Sequence, residues 1–232
     1  MKNYLMLILT VLLANLAKSQ NVQLHRDFGK DRQMFTSTVE MFKPDKYGST
    51  FFFIDFNYGG KAADTSGVTL AYWEIARDLK FWNSSFAIHT EFNAGMLRTN
   101  NFSAEINNAL LFGGSYTFNN ANFSKVLTIQ ALYKYIQDKH DASFQFTAVW
   151  GLHFFDRKIS FTGFADFWRE DNVVFDDKGN ASNTKYVFLT EPQLWYNINE
   201  HFSAGGEVEI SSNFGAHKGF MVNPTLAVKW TF

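Results

Sequence analysis

The sequence predicts an all-β fold, a transmembrane up-and-down antiparallel β-barrel of about twelve strands. Three observations support this prediction. The last seven residues, 226–232, alternate between apolar and polar side chains and end on Phe. Aromatic residues make up 18% of the 232-residue chain, yet its mean hydropathy is slightly negative. The chain also opens on a segment typical of an export signal. A barrel wall has one face in lipid and one in a wet lumen, so it is half apolar throughout.

Residues 1–19 are predicted to be a secretory signal peptide that is cleaved near Ser19. Lys2 precedes a mostly apolar run over residues 4–17, which is shorter than the roughly 20 residues that a membrane-spanning helix needs. The barrel would then occupy residues 20–232. The chain has no Cys, which excludes lipid attachment at a cysteine, disulfides and thiolate metal sites.

Period-two segments bounded by turn residues predict the strands that follow the signal peptide. In chain order they lie near residues 21–28, 34–42, 48–57, 67–77, 84–93, 104–117, 125–137, 143–155, 158–168, 185–198, 202–212 and 219–232. An even number of strands places both ends of the barrel domain on one side of the membrane, which we predict to be the periplasmic side.

The clearest alternation lies in the eighth strand and assigns the two faces of the wall. Phe146 and Trp150 would face lipid, whereas Gln145 and Thr147 would face the lumen. The ninth and eleventh strands repeat this pattern. By the same rule the outward residues of the last strand are Leu226, Val228, Trp230 and Phe232, and its lumen residues are Asn223, Thr225, Ala227 and Lys229.

The connections are predicted to alternate in length, because barrels of this class keep periplasmic turns short and extracellular loops long. The short turns lie at 44–46, 156–158 and 199–201, and the long connections at 58–67, 95–103 and 169–184. Aromatic residues collect at the short-turn ends, which predicts an interfacial girdle there. They are Phe42, Tyr47, Phe81, Trp82, Phe118, Phe123, Phe154, Phe155, Tyr196, Phe202, Trp230 and Phe232.

Two features complicate the strand assignment. Pro192 and Pro224 lie inside strands and each lacks a ladder N–H, so bulges are predicted at both. The segment 104–117 is ambiguous because Asn107 and Asn108 fall on opposite faces, which leaves a ten-strand barrel as an alternative. A soluble lipocalin-like barrel or sandwich is the other alternative. Strands of about 10 to 13 residues favour the membrane barrel, since a tilted strand of about that length crosses the hydrocarbon layer.

The predicted lumen is acidic. The inward carboxylates are Glu40, Asp55, Glu74, Glu91, Asp166, Glu191, Glu207 and Glu209, against the cations Lys134 and Lys229 and the histidines His89 and His153. Rings of carboxylates favour cations and disfavour anions, which argues against a channel for anionic oligosaccharides. The alternative is that these charges only satisfy one another and water.

Aromatic residues beside these acids predict a site for a flat polar ring such as a nucleoside. Phe53 lies beside Asp55 and Tyr72 beside Glu74 along their strands. A flat ring stacks on the aromatic face and is oriented by hydrogen bonds at its edge. The alternative is that bulky aromatics fill a narrow bore. The predicted substrate and lumen residues are Phe51, Phe53, Asp55, Tyr72, Glu74, Glu91, Asp166, Trp168, Glu191, Glu207 and Glu209.

The stretches 48–60 and 70–82, on a chain of about twelve strands that ends in Trp-Thr-Phe, resemble the Tsx-like group of nucleoside-specific outer-membrane channels, including its shorter relatives. The resemblance covers most of the mature chain, but it rests on strand pattern and a few acidic-aromatic strands. It implies passive diffusion of nucleosides across the outer membrane of a Gram-negative cell, through a narrow barrel with weak sites along the bore.

Other functions are less well supported by the sequence. A structural or surface-interaction barrel with a plugged bore is the main alternative. An outer-membrane lipid hydrolase would need His153 and Ser160 to face lipid, whereas alternation turns both to the lumen. His89, Glu91 and His153 lack the close spacing of metal ligands. No catalytic residue, metal or cofactor is therefore predicted.

The predicted partners are outer-membrane lipids, a small solute, and the assembly machinery that reads an aromatic C-terminus such as Phe232 in many such proteins. A monomer is expected. With a formal net charge of −1, the chain offers no nucleic-acid surface.

Overall fold

The strands of the computed structural model close into one antiparallel barrel, and the structure describes residues 20–30, 32–59, 67–139, 141 and 143–232. The predicted signal peptide lies outside the described residues. Neighbouring strands pair in chain order around the wall, and the first strand pairs with the last. The all-β barrel prediction is confirmed, with twelve strands rather than ten. No helix in the described part of the chain is long and apolar enough to cross a membrane.

Thirteen strand segments make up the twelve-stranded wall, because β10 and β11 are two parts of one interrupted strand. The segments are β1 (Gln20–Asp27), β2 (Phe35–Asp45), β3 (Gly48–Tyr58), β4 (Val68–Leu79), β5 (Phe86–Arg98), β6 (Ser103–Asn119), β7 (Lys125–Ile136), β8 (Ser143–Phe154), β9 (Ile159–Phe175), β10 (Ala181–Thr190), β11 (Gln193–Asn197), β12 (Phe202–Ser212) and β13 (Phe220–Thr231).

Closure of the barrel depends on the pairing of β1 with β13. The ladder runs without a register shift from Asn21 opposite Thr231 to Asp27 opposite Thr225. The predicted faces of the last strand are confirmed: its outward residues are all exposed, whereas Ala227 is buried in the barrel. The ladder therefore leaves no open sheet edge between the first and last strands.

The predicted bulges at Pro192 and Pro224 are wrong. Residues on both sides of Pro192 keep one register with β9 and one with β12, so only a hydrogen bond is missing. Pro192 lies opposite Gly163, whose positive φ and missing side chain make room for it. Pro224 stays within β13, and its carbonyl accepts the N–H of Phe28 just beyond β1. The ladder therefore continues at both prolines. At Pro192 the neighbouring strand supplies space through Gly163, and at Pro224 the neighbouring β1 has already ended.

The ambiguity at Asn107 and Asn108 comes from a bulge in β6. The pairing of β5 with β6 shifts by one residue between Asn93 and Gly95. Both asparagines form hydrogen bonds with Gln137, at the start of the connection after β7. The amide of Asn107 donates to its carbonyl at 2.8 Å, and the amide of Asn108 donates to its side-chain oxygen at 2.9 Å. An extra residue in one strand changes the parity of the alternation, which explains why the faces could not be assigned there.

Two of the three predicted long connections are shorter than predicted, because the strands that they join continue further. β5 reaches Arg98 and β6 begins at Ser103, so only 99–102 connects them. The predicted loop 169–184 is mostly the hairpin of β9 and β10, joined by 176–180. The predicted turns at 156–158 and 199–201 are confirmed. Residues 44–45 instead belong to β2, and the turn there is residues 46–47.

Aromatic residues surround the end of the barrel that carries both termini. Phe81, Trp82, Phe123 and Phe155 lie in its connections, and all four are more than half exposed. Every other residue of the predicted girdle is also at this end, and each except Phe202 is exposed. The prediction for Phe42 is only partly right. Phe42 lies at the predicted end, but it is paired with Phe51 and so belongs to the inner face of the wall. This belt is typical of a membrane interface.

Candidate functional site

The inner wall is identified by side chains that meet across the barrel. His25 of β1 contacts the ring of Trp195 on β11 edge to face, with ring centres 6.0 Å apart, although β12 and β13 separate the two strands along the wall. Residues paired across antiparallel strands share a face. Glu207 is paired with Gln193 across β11 and β12 and accepts a hydrogen bond from its amide. Gln193 lies two residues before Trp195 on the same strand, so Glu207 faces inward with Trp195.

The predicted lumen residues follow this rule. Asp55 is paired with Tyr72, and Phe53 with Glu74. The predicted carboxylates form two clusters, Trp168 lies against the lysine of the first, and Phe51 continues an aromatic surface with Phe53.

The first group, here called the Lys134 cluster, consists of Glu74, Glu91, Asp166 and Lys134. The Lys134 ammonium interacts electrostatically with all three carboxylates. It donates to Gln145 Oε1 at 2.8 Å and lies 4.3 Å from the centre of the Trp168 ring. Lys134 lies on β7 and is held by Gln145 of the neighbouring β8. This one cation thus faces three acidic side chains, which come from β4, β5 and β9.

Each carboxylate of the Lys134 cluster also has a hydrogen-bonding neighbour. The Tyr72 hydroxyl donates to Glu74 at 2.7 Å, and the Thr147 hydroxyl donates to Asp166 at 2.6 Å. Glu91 lies 3.1 Å from the His89 ring. The two hydroxyl bonds orient Glu74 and Asp166 but add no opposite charge, whereas a protonated His89 supplies one to Glu91.

An aromatic surface, here called the aromatic wall, continues from Tyr72 along β3. The rings of Phe53 and Tyr72 lie 6.0 Å apart, and those of Phe51 and Phe53 are equally spaced. All three rings are half-buried inside the barrel. The structure therefore brings the predicted aromatic and acidic residues of β3 and β4 together on one wall.

The second group, here called the Arg32 cluster, consists of Asp55, Glu191, Glu207, Glu209 and Arg32. The Arg32 guanidinium lies 2.5 Å from the Glu209 carboxylate, and it interacts electrostatically with Glu191. Glu191 and Glu207 both interact electrostatically with Asp55. Five carboxylates, these four and Asp27, thus face one guanidinium, which again leaves the surroundings acidic.

Arg32 was missed by the sequence analysis because it lies in the connection between β1 and β2, where alternation assigns no face. Its guanidinium also lies 2.7 Å from the carboxylate of Asp27, which is almost fully buried. Asp27 could have been found, since it continues the inner face of Gln23 and His25 along β1. No sequence signal indicated that a loop residue would enter the bore.

A third layer of the lumen surrounds Trp195, which is completely buried. Its indole N–H donates to Gln193 at 2.9 Å, and the Lys229 ammonium lies 4.0 Å from its ring centre. Gln193 in turn donates to Glu207 at 2.9 Å. This layer narrows the bore next to the Arg32 cluster.

The histidines are held by separate networks. His89 lies 3.1 Å from both Asp78 and Glu91, and Ser115 donates to Asp78. Asp78 was missed because the fourth strand was predicted to end one residue before it. Among the described residues, no group of three or more His, Cys, Asp or Glu side chains has an arrangement that could hold a metal ion.

His153 and Ser160 bond each other at 2.9 Å, as paired residues of β8 and β9. Asn197 of β11 also donates to the Ser160 hydroxyl at 2.9 Å, which places the pair on the inner wall. Ser160 is nearly buried. This position agrees with the predicted lumen face of both residues and differs from the lipid-facing site that a lipid hydrolase would need.

Two solved structures share the barrel fold at low sequence identity. The "KdgM porin in complex with disordered oligogalacturonate" is 11% identical, with a TM-score of 0.50, and the match covers 92% of this chain and 99% of that one. The NanC porin, in a rhombohedral crystal form, is 10% identical with a TM-score of 0.59, covering 92% and 100% respectively. At this identity the similarity shows the fold alone.

Sequence comparison places the chain in a family. No curated protein sequence matches it significantly. The family model described as "Domain of unknown function (DUF5020)" matches residues 19–232, so the chain belongs to the DUF5020 family.

Proposed function

We propose that this DUF5020 protein is an outer-membrane channel through which small polar solutes diffuse passively. One observation carries the proposal: acidic and aromatic side chains inside the barrel keep part of their surface accessible to water. Asp55, Glu74, Asp166 and Glu191 are all half-buried, although they belong to the inner wall. A lumen closed by its own packing would leave such carboxylates dry and unsolvated, at a high free-energy cost.

The charge of the lumen supports a preference for cations and neutral solutes over anions. The Lys134 and Arg32 clusters each contain more carboxylates than cations. The KdgM structure was determined with oligogalacturonate, a chain of uronate anions. The acidic clusters argue against a similar polyanion as the solute of this chain, despite the common fold.

Nucleosides are the proposed solute class within this channel. The aromatic wall offers the faces of Phe53 and Tyr72 for stacking of a base. Asp55 and Glu74 lie in register beside these rings and can accept hydrogen bonds from base or ribose. Base stacking on aromatic side chains contributes about 1–3 kcal/mol per base, which is sufficient for a weak transport site.

Conductance across planar bilayers tests the channel. Refolded protein should give discrete current steps, and the reversal potential in a salt gradient should show cation preference. Replacing Glu191→Gln together with Glu207→Gln should reduce this preference, whereas Glu200→Gln, at an exposed terminal-side turn, should leave it unchanged. A protein that inserts but carries no current would contradict the channel function.

The nucleoside assignment has its own measurement. Adenosine or thymidine should enter proteoliposomes faster than a sugar of similar size, and Tyr72→Ala should remove this difference. This variant removes the stacking surface and also the hydroxyl that donates to Glu74, so Tyr72→Phe, which keeps the ring and lacks the hydroxyl, is the matched control and should keep the difference. Equal rates for nucleosides and sugars would contradict the assignment while leaving a general channel intact.

A structural barrel with a plugged bore is the second candidate, and the Trp195 layer favours it. Trp195 has no exposed surface, and His25 and Lys229 both contact its ring. Conductance distinguishes the two candidates: if only Trp195→Ala carries current and the natural protein does not, the bore is closed in the natural state.

The proposed channel lies in the outer membrane and contacts lipid through its outward aromatic and aliphatic residues. We also propose that it acts as a monomer, that it is exported by cleavage near Ser19, and that Phe232 engages the assembly machinery. Removal of Phe232 should reduce the amount of assembled barrel in the outer membrane relative to total protein.

A further inference from the structure

The Lys134 cluster leaves negative charge uncompensated inside the barrel. Glu91 faces the His89 ring at 3.1 Å, whereas Glu74 and Asp166 share the Lys134 ammonium, which is already bonded to Gln145. Carboxylates in a confined space of low polarity are costly unless a counter-charge approaches them. The arrangement therefore favours entry of a mobile cation.

A separate observation points to a donor-bearing ligand at this place. Asn93 is only 5% exposed and is directly paired with Glu74. Its side-chain Oδ1 is shielded from water and has no hydrogen-bond partner within the described part of the chain. Buried polar atoms are nearly always satisfied, so this acceptor lacks a donor that a ligand could provide. An ammonium group donates three hydrogen bonds and would suit both Asn93 and Glu74.

The aromatic wall connects the two acidic clusters. Tyr72 bonds Glu74 of the Lys134 cluster, and it is paired with Asp55 of the Arg32 cluster. Phe53 packs beside Tyr72 on the same wall. A chain of methylene groups would therefore find an apolar surface between two acidic ends.

The lumen already binds ammonium groups in this manner. The Lys134 ammonium lies over Trp168 at 4.3 Å, and the Lys229 ammonium lies over Trp195 at 4.0 Å. Both distances are within the range of cation–π attraction. A small inorganic cation would gain from the carboxylates alone, whereas an organic ammonium gains from carboxylates and rings together.

We infer that the lumen contains a binding site for linear diamines. One ammonium occupies the space among Glu74, Asp166 and Asn93, the alkyl chain lies along the aromatic wall, and the second ammonium reaches Asp55 of the Arg32 cluster. The inference rests on the proposed function in that the lumen must be open to a solute from at least one end of the barrel. It names a second solute class that shares the aromatic wall with nucleosides and should compete with them.

Calorimetry on refolded protein in detergent tests this site directly. With 1,4-diaminobutane as the probe, we expect saturable binding, with 4-amino-1-butanol at least about tenfold weaker and 1,4-butanediol showing none. Glu74→Gln should weaken diamine binding about tenfold, the loss expected for one charged hydrogen bond. Asp166→Asn provides a second variant from another strand, and Glu200→Gln is the matched control at an exposed turn.

Each outcome separates the site from the channel. Diamine binding equal to that of the amino alcohol, or unchanged in both Glu74→Gln and Asp166→Asn, would overturn the inference. Conductance measured without diamine tests the channel independently. A conducting protein that does not bind diamine would keep the channel and lose the site, whereas binding without conductance would support the site and contradict the channel.

Discussion

At the scale of single residues, alternation predicts which face a side chain occupies but not which side chain it meets. The inward faces of Asp55, Glu74 and Asp166 follow from period two. Their partners depend on register and stagger around the wall, which no single strand encodes. Lys134 lies on β7 and Glu74 on β4, for example, and they interact electrostatically across β5 and β6 because the wall curves around a common lumen. The site could therefore be predicted as a list of inward residues, but not as two clusters.

Gly163 is a residue whose identity the backbone requires. It has a φ of 148°, and an added Cβ would lie 2.5 Å from the carbonyl oxygen of Glu191 and 3.0 Å from Pro192. We expect Gly163→Ala to destabilise the folded barrel by about 1–3 kcal/mol, the usual cost of a strained backbone residue. Urea unfolding in lipid vesicles, followed by Trp fluorescence, measures the change.

Gly114→Ala is the matched control for this substitution. Gly114 also lies in a strand, but its added Cβ would meet nothing within 4 Å, and its φ is not positive. We expect no loss of stability, because Ala restricts the unfolded chain more than Gly does. Equal destabilisation by both substitutions would mean that the contact with Pro192 is not the cause.

At the scale of elements, the strands were predicted well within the membrane and less well beyond it. Residues 169–171 carry charge on both faces and were therefore assigned to a loop, yet β9 continues to Phe175. Above the membrane, polar side chains are tolerated on both faces of a hairpin, so hydrophobic alternation ceases to mark the strand. Phe175 also forms an isolated bridge with His217 of the neighbouring connection, which supports the projecting hairpin.

Asp176 organises the turn at the tip of this hairpin. Its Oδ1 accepts the N–H groups of Lys178 and Asn180, both at 2.9 Å. Hydrogen bonds from Asn180 hold the pKa of Asp176 below its usual range. A lowered pKa means that these bonds stabilise the turn fully above the ordinary pKa of Asp, near 4, and that this contribution is lost as the pH falls through the lowered pKa of the folded carboxylate.

We therefore expect Asp176→Ala to raise the amide exchange rates of Lys178 and Asn180 several-fold at pH 7. At a pH below the lowered pKa of the folded carboxylate, where Asp176 is protonated in the natural protein, the difference between the two proteins should shrink after correction for intrinsic exchange. Hydrogen exchange read by NMR in detergent measures both. A difference of the same size at both pH values would contradict the role of the ionised carboxylate.

The connection between β1 and β2 is held against the bore by Arg32. Its ion pairs with Asp27 and Glu209 join this connection to β1 and β12. We expect Arg32→Gln to raise both single-channel conductance and cation preference, because it releases the connection and removes a cation from the acidic lumen. Lys30→Gln, an exposed neighbour of the same charge, is the control in bilayer recordings. Equal effects of the two variants would show that only net charge matters.

At the scale of the whole molecule, closure converts strand alternation into an inner and an outer surface. Every strand has the same period of two, and the apolar residues of the last strand indicate which alternate side chains face outward. The sequence therefore predicts both surfaces. The stagger between neighbouring strands does not follow from the period of each strand. The positions of the Trp195 layer and of Arg32, which lies in a connection, could therefore not be predicted from the sequence. Closure is thus the property from which both the lipid-facing belt and the candidate site follow.

Closure can be tested with one cysteine pair, because the natural chain has no Cys. Leu24 and Val228 are paired across the β1–β13 ladder and face outward, so Leu24→Cys with Val228→Cys leaves the lumen unchanged. Paired residues have Cα atoms about 4.5–5.5 Å apart, within the range that a disulfide spans. Oxidation should form the bond within one chain and alter migration of the boiled, unreduced protein. Leu24→Cys with Leu110→Cys, which lies on β6 across the wall, should form none. If the first pair fails to form while the protein still folds, the first and last strands do not meet and the barrel is open.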